Sequence, residues 1–199
     1  MLLPQKLKER DLELVLASQS PRRRDLMRGC GLQFDVVCYH VDEVYPDTLP
    51  VVEVPEYLAK LKSKGYPTEL SHGEILITAD TVVICEGEIL GKPANTDEAR
   101  AMLRQISNRE HTVVTGVTIR SRQKSVSFSS HSTVRFAELT DEQIDYYIEA
   151  FNPLDKAGSY GIQEWIGYIG IESIEGSFYN VMGLPVQRLY SELNKFIEQ

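Results

Sequence analysis

Ser18, Gln19, Ser20, Pro21, Arg22, Arg23 and Arg24 follow directly on the apolar run Leu12 to Ala17, so two hydroxyls and three guanidiniums stand where a buried strand ends. Such a grouping can grip an oxyanion. Ser20 is a good helix N-cap and Pro21 suits the first helical position, so the unpaired N–H groups of the first turn would point where the arginines also reach. Guanidinium forks meet phosphate oxygens two at a time, which lysine cannot do. The chain has 21 Lys plus Arg against 29 Asp plus Glu, net −8, so a local triple cation does not serve bulk attraction to a nucleic-acid polymer. It reads as a small-ligand site that takes phosphate.

Asp80 is the second anomaly. It lies inside the most apolar segment, Ile75 to Ile84, flanked by Ala79 and Thr81. A carboxylate there must be paired, metal-bound or at the exposed end of the strand. Held rigidly, it could act as a general base toward water or as an oxygen ligand for Mg²⁺. Lys92, between Gly91 and Pro93, comes twelve residues later and could return to the same rim. Asp42 and Glu43 offer hard oxygen ligands in a loop. Asp155 to Gln163 contains two glycines that let the backbone approach a ligand beside Tyr160, and Ser177 to Pro185 carries Asn180 and Gly183 downstream.

Other chemistries are excluded by pattern. The chain has no dinucleotide Gly-rich fingerprint, no paired His on a helix, no Cys-x-x-Cys and no Gly-x-Ser-x-Gly elbow. His40, His72, His111 and His131 are scattered. Cys30, Cys38 and Cys85 are odd in number and predict small reduced core residues. No apolar run reaches membrane-span length, and the first eleven residues are too charged for a secretory leader, so a cytoplasmic protein without a membrane partner is expected.

The elements that must position these residues alternate. Leu12 to Ala17 reads as a strand followed by a helix from Pro21; Val36 to Cys38 closes a second strand; an acidic, Pro-rich loop leads to helical spacing at Tyr57, Leu58 and Leu61. Ile75 to Ile84 is a buried central strand, and Asp97 to Ile106 a helix with Thr96 as its expected N-cap. Thr112 to Ile119 and Val126 to Phe136 form a long hairpin. Helices follow at Thr140 to Phe151 and Leu184 to Ile197. The order predicts a mixed sheet with helices packed on it.

Six ordered segments, Leu16 to Arg23, Ala79 to Val83, Gly91 to Pro93, His111 to Val117, Asp155 to Gln163 and Ser177 to Pro185, resemble the Maf family of nucleoside triphosphate pyrophosphatases. The resemblance runs from Leu14 to the C-terminal helix. It implies an α/β fold with an elongated mixed sheet, helices and a central cleft, shared with inosine triphosphate pyrophosphatases, and commonly a homodimer. Residues 1–11 would be an extension and 12–199 one catalytic domain. The implied reaction is hydrolysis of a nucleoside triphosphate to the monophosphate and pyrophosphate with Mg²⁺ or Mn²⁺. By motif, Asp80 corresponds to the catalytic acceptor, Ser20, Arg22, Arg23 and Lys92 to phosphate contacts, and Glu43 to an acid of the metal site. Arg22, Thr81 and Gln163 match the pyrimidine type, which implies dTTP and UTP as substrates. A neutral Gln amide can pair with the carbonyl and N3–H of thymine or uracil. For the family's helix lysine the resemblance gives no single counterpart: Lys62 and Lys64 straddle the expected position and Gly65 is the other candidate for it. The alternative is a non-catalytic nucleotide-binding regulator of cell division, which would keep the same grip.

Overall fold

The computed structural model describes residues 1–198. In chain order the elements are α1 (Leu3–Glu9), β1 (Glu13–Ala17), α2 (Pro21–Gly29), β2 (Asp35–Val37), α3 (Val54–Lys64), β3 (Glu74–Cys85), β4 (Glu88–Leu90), α4 (Thr96–Ile106), β5 (Glu110–Arg120), β6 (Ser125–Phe136), α5 (Asp141–Phe151), α6 (Trp165–Gly170), β7 (Ile171–Glu175), α7 (Phe178–Val181) and α8 (Val186–Glu198). Two short 3₁₀ turns, Pro153–Asp155 and Ala157–Ser159, join α5 to α6.

Among the described residues the strands make one seven-stranded mixed sheet in the order β2-β1-β3-β5-β6-β7, with β4 paired to β3. β1 runs parallel to β2 and β3, whereas β4 on β3 and β7 on β6 are antiparallel. β3 is central because its residues are buried on both faces, as near-continuous apolar sequence requires. Its register puts Ala17 beside Thr78, so β1 ends two residues short of the level of Asp80. The chain divides into two compact units: Met1–Asp80, Thr115–Ser130 and Gly183–Gln199 form the first, Thr81–Val114 and His131–Met182 the second.

In the first unit Val15, Ala17, Leu70 and Leu76 pack with Val37, Tyr39 and Tyr66. α3 lies flush on β5 there: a Cβ added at Gly116 would sit 2.3 Å from the backbone nitrogen of Glu56. Thr78 Oγ1 donates to the Ala59 carbonyl at 2.7 Å, which fixes α3 over one face of β3. The segment 1–11 is more ordered than its charge suggests. Leu3 and Leu7, one helical turn apart, are buried, Leu3 N donates to Tyr190 Oη of α8 at 3.1 Å, and Arg10 donates to the Ile197 carbonyl.

The second unit is built on Val83, Leu103, Ile106, Val113, Phe136, Ile144 and Tyr147. His111, Phe136 and Tyr160 meet as a three-ring cluster with centroids 5.1–5.5 Å apart. Here α4 departs from expectation by one residue: Asn95, not Thr96, is its N-cap, accepting from Glu98 N at 2.9 Å. The cysteines also differ. All three are free, but only Cys85 is buried; Cys30 is half-buried and Cys38 exposed.

Candidate active site

Ser20 caps α2. Its extended backbone (φ −66°, ψ 117°) and side-chain oxygen, which accepts from Arg23 N at 3.4 Å, start the helix at Pro21. Ser18 adds a turn before it, accepting from Ser20 N at 3.2 Å. Arg23 then crosses inward. Its Nε donates to the Gly183 carbonyl and its Nη1 to the Ala79 carbonyl, both at 2.8 Å. The residue preceding Asp80 is therefore pinned by a guanidinium. Burial lowers the Arg23 pKa, the Asp80 carboxylate raises it, the neighbouring Arg22 lowers it and Glu43 raises it again. Arg22, Arg23, Glu43 and Asp80 thus share one electrostatic neighbourhood. Arg24 does not join it, since its Nη2 turns back to the Gln19 carbonyl at 3.2 Å.

Lys62 completes this cluster. Its Nζ stands 2.6 Å from Asp80 Oδ1 and 2.8 Å from Glu43 Oε1, with the Asp80 side chain 11% exposed. Two carboxylates thereby converge on one cationic position. Lys64, two residues on, is exposed. The loop that carries Glu43 is braced against α3: Tyr39 Oη donates to the Lys62 carbonyl at 2.5 Å, and a Cβ at Gly65 would lie 2.8 Å from Val41 Cγ2. Residues 39, 41 and 43 face the helix at the two-residue period of extended chain. The intervening His40 and Asp42 pair with each other at 3.1 Å, both 88% exposed, so Asp42 is not turned toward Asp80.

The second unit holds the remaining sequence-predicted residues. Thr81 begins it and is half-buried. Lys92 is exposed after β4, and the preceding Gly91 carbonyl accepts from Gly158 N at 3.1 Å, tying the Lys92 segment to the one that runs on to Gln163. Gly158 adopts φ +67° with Val83 2.9 Å from where a Cβ would be, so only glycine suits that turn. Gln163 is half-buried, and its Oε1 is a buried acceptor with no hydrogen-bond partner. Such an orphan is costly unless a ligand supplies a donor. Asn180 is a packing residue: its Nδ2 donates to the Val113 carbonyl and Ser132 Oγ, each at 3.0 Å.

Of the two lysines at the end of α3, the one beside Asp80, Lys62, is marked in the sequence by helical phase. It lies three residues past buried Ala59 and four past buried Leu58, on the stripe that faces β3.

The donor set suits a hard cation. Glu43 and Asp80 supply carboxylate oxygens, and among the described residues no cluster of three or more His, Cys, Asp or Glu is present. Mg²⁺ is commonly held by one or two carboxylates with waters and substrate phosphates filling the rest.

Comparison with known proteins gives a consistent answer. A family model described as "Maf-like protein" matches residues 13–196. The "dTTP/UTP pyrophosphatase" of Parabacteroides distasonis is 54% identical over 185 residues, 92% of this chain and 96% of that protein. A protein of the same description from Phocaeicola vulgatus is 51% identical over 184 residues, 92% of this chain and 95% of that one. Among solved structures, the Ham1 protein of Staphylococcus aureus superposes with a TM-score of 0.52 at 15% identity, covering 92% of this chain and 99% of that one, a likeness of fold. Among the described residues no helix is long and apolar enough to cross a membrane.

Proposed function

The chain belongs to the Maf family, and from that membership we propose that it hydrolyses dTTP and UTP to the nucleoside monophosphate and pyrophosphate. The observation that carries the reading is the Asp80 carboxylate, held within 2.6 Å of Lys62 in the same charged neighbourhood as Arg22 and Arg23. Asp80 would take a proton from the water that attacks the innermost phosphorus; the bond to the bridging oxygen breaks and pyrophosphate leaves. Ser20, Arg22, Arg23 and Lys92 would bind phosphate oxygens, spreading the charge that develops on them. Glu43 would hold a divalent cation, Mg²⁺ or Mn²⁺. When bound, that ion supplies Lewis-acid neutralisation of the triphosphate.

Base choice rests on Thr81 and Gln163. The buried Gln163 oxygen lacks a donor, and the N3–H of uracil or thymine provides one. Family membership further supports a cytoplasmic homodimer in which residues 12–199 work as one catalytic domain behind the 1–11 extension. An inert nucleotide sensor has no need of an acid fixed against an ammonium, so the regulatory reading is not favoured.

The test is a nucleotide panel with Mg²⁺ and product identification. Pyrophosphate released fastest from dTTP or UTP is expected. Orthophosphate with nucleoside diphosphate left behind would refute the bond assignment.

A further inference from the structure

Gln163 lies in a turn whose neighbouring residues are braced by a polar network that the proposed chemistry does not use. Lys156 is a buried lysine, 6% exposed, on the turn before Gly158. Its Nζ lies 2.7 Å from Asp155 Oδ1 and 3.2 Å from Glu164 Oε1. The other Glu164 oxygen accepts from Tyr147 Oη of α5. Tyr147 Oη in turn accepts from Gly161 N at 2.9 Å, and Glu164 N donates to the Gly161 carbonyl at 2.9 Å. The turn closes tightly, for a Cβ at Gly161 would stand 2.7 Å from the Glu164 carboxyl carbon. Gln163, with Ile162 before it, is held between Gly161 and Glu164.

We propose that Tyr147, Glu164 and Lys156 are positioning residues that fix the Gly161–Glu164 turn, and that this fixed turn lets the Gln163 amide select pyrimidines with an N3–H over cytosine. The inference rests on the base-reading role given to Gln163 above. An amide free to rotate could present its NH₂ to the N3 of cytosine as readily as its oxygen to the N3–H of uracil, and would discriminate poorly. A rigid backbone on both sides fixes the point and direction from which the Gln163 side chain projects, and so which base edge its amide oxygen can meet. Lys156 anchors one Glu164 oxygen, and the other holds the Tyr147 hydroxyl as a donor, so the remaining lone pair of that hydroxyl meets Gly161 N–H. Each link aims the next. Burial and Glu164 both push the Tyr147 pKa up, which keeps that hydroxyl protonated across the working range.

The experiment compares dTTP with dCTP, which share a sugar and differ at the N3/C4 edge and in the 5-methyl group, in the wild type, Gln163→Ala, Tyr147→Phe and Glu164→Gln, so that the change in preference between variants is read. Steady-state kinetics are read alongside nucleotide affinity, followed through Trp165, the single tryptophan of the chain, next to Glu164. Tyr147→Phe should raise KM for dTTP with kcat largely kept, and shrink the dTTP-to-dCTP preference about tenfold. Glu164→Gln, which keeps an acceptor for Tyr147, should shrink it less. If Gln163→Ala abolishes the preference while Tyr147→Phe and Glu164→Gln keep it, the positioning claim is overturned and the base-reading role stands. If Gln163→Ala leaves the preference intact, the base-reading role fails and this claim with it. Affinities from Trp165 decide both points even in a preparation without turnover.

Discussion

Lys62 Nζ lies 2.6 Å from Asp80 Oδ1, an ammonium from α3 against a carboxylate from β3. Neither partner is well solvated, the lysine side chain being 20% exposed and the aspartate 11%. A desolvated pair of this kind earns little net stability, yet removing one member leaves the other uncompensated. Under the proposed function, Lys62 balances the charge of the acceptor Asp80 before substrate binds.

The same contact separates the two lysines at the end of α3. Lys62→Met should reduce turnover about 100-fold, by analogy with loss of one preorganised charge partner. Lys64→Met, altering an exposed side chain, should stay within about twofold. Pyrophosphate release under saturating dTTP reports both, and equal losses would contradict the assignment.

Asp80→Asn keeps shape but removes the carboxylate proposed to accept the proton. Turnover should fall by about 10²–10⁴ while dTTP still binds, since the arginines and lysines are untouched. Calorimetric titration beside the rate assay checks this; a variant that turns over at the normal rate would remove Asp80 from the reaction.

Arg23→Lys should be a structural lesion as well as a functional one. Lysine cannot reach the Ala79 and Gly183 carbonyls together from one planar fork, so at least one partly buried acceptor loses its donor. A cost of about 1–3 kcal/mol is expected. For a chain of this size it lowers Tm by roughly 2–4 °C per kcal/mol, read by differential scanning calorimetry.

Acid should weaken the second unit through His111. Burial lowers its pKa from 6.5 to about 4, so the folded protein keeps it neutral. Below pH 6.5 the unfolded chain binds a proton that the folded chain does not, so stability falls as pH drops from 6.5 to about 4 and is then level. The total is about 3 kcal/mol. The His111 Nε2 lies 2.7 Å from Tyr160 Oη, a hydroxyl whose pKa is itself raised by burial, so the pair stays uncharged in the folded protein until the histidine titrates. His111→Phe should flatten the acid limb in urea titrations at pH 4.5 and 7; an unchanged slope would exclude the histidine as its source.

Much of this was legible in the sequence wherever local rules decide. The Ser20 cap, the apolar run of β3, the β5–β6 hairpin and the capping box of α5 all follow from neighbours a few residues apart. The rest needed tertiary partners. α1 is seven residues with four polar side chains, stable because α8 offers a face for Leu3 and Leu7. Asn95 and Thr96 are both competent caps, and which one serves is set by where the chain enters the helix. The Tyr147 hydroxyl meets Glu164 seventeen residues away across two irregular turns, a pairing no periodicity announces.

Gly116 gives the fold a lever far from any reacting group. Because the α3 backbone rests directly on it, a methyl at position 116 would have to prise the start of that helix off the sheet, and Lys62 rides two turns further along the same rod. An alanine there would swing the Lys62 ammonium out of register with Asp80, a displacement passed along the helix from a strand that carries neither residue.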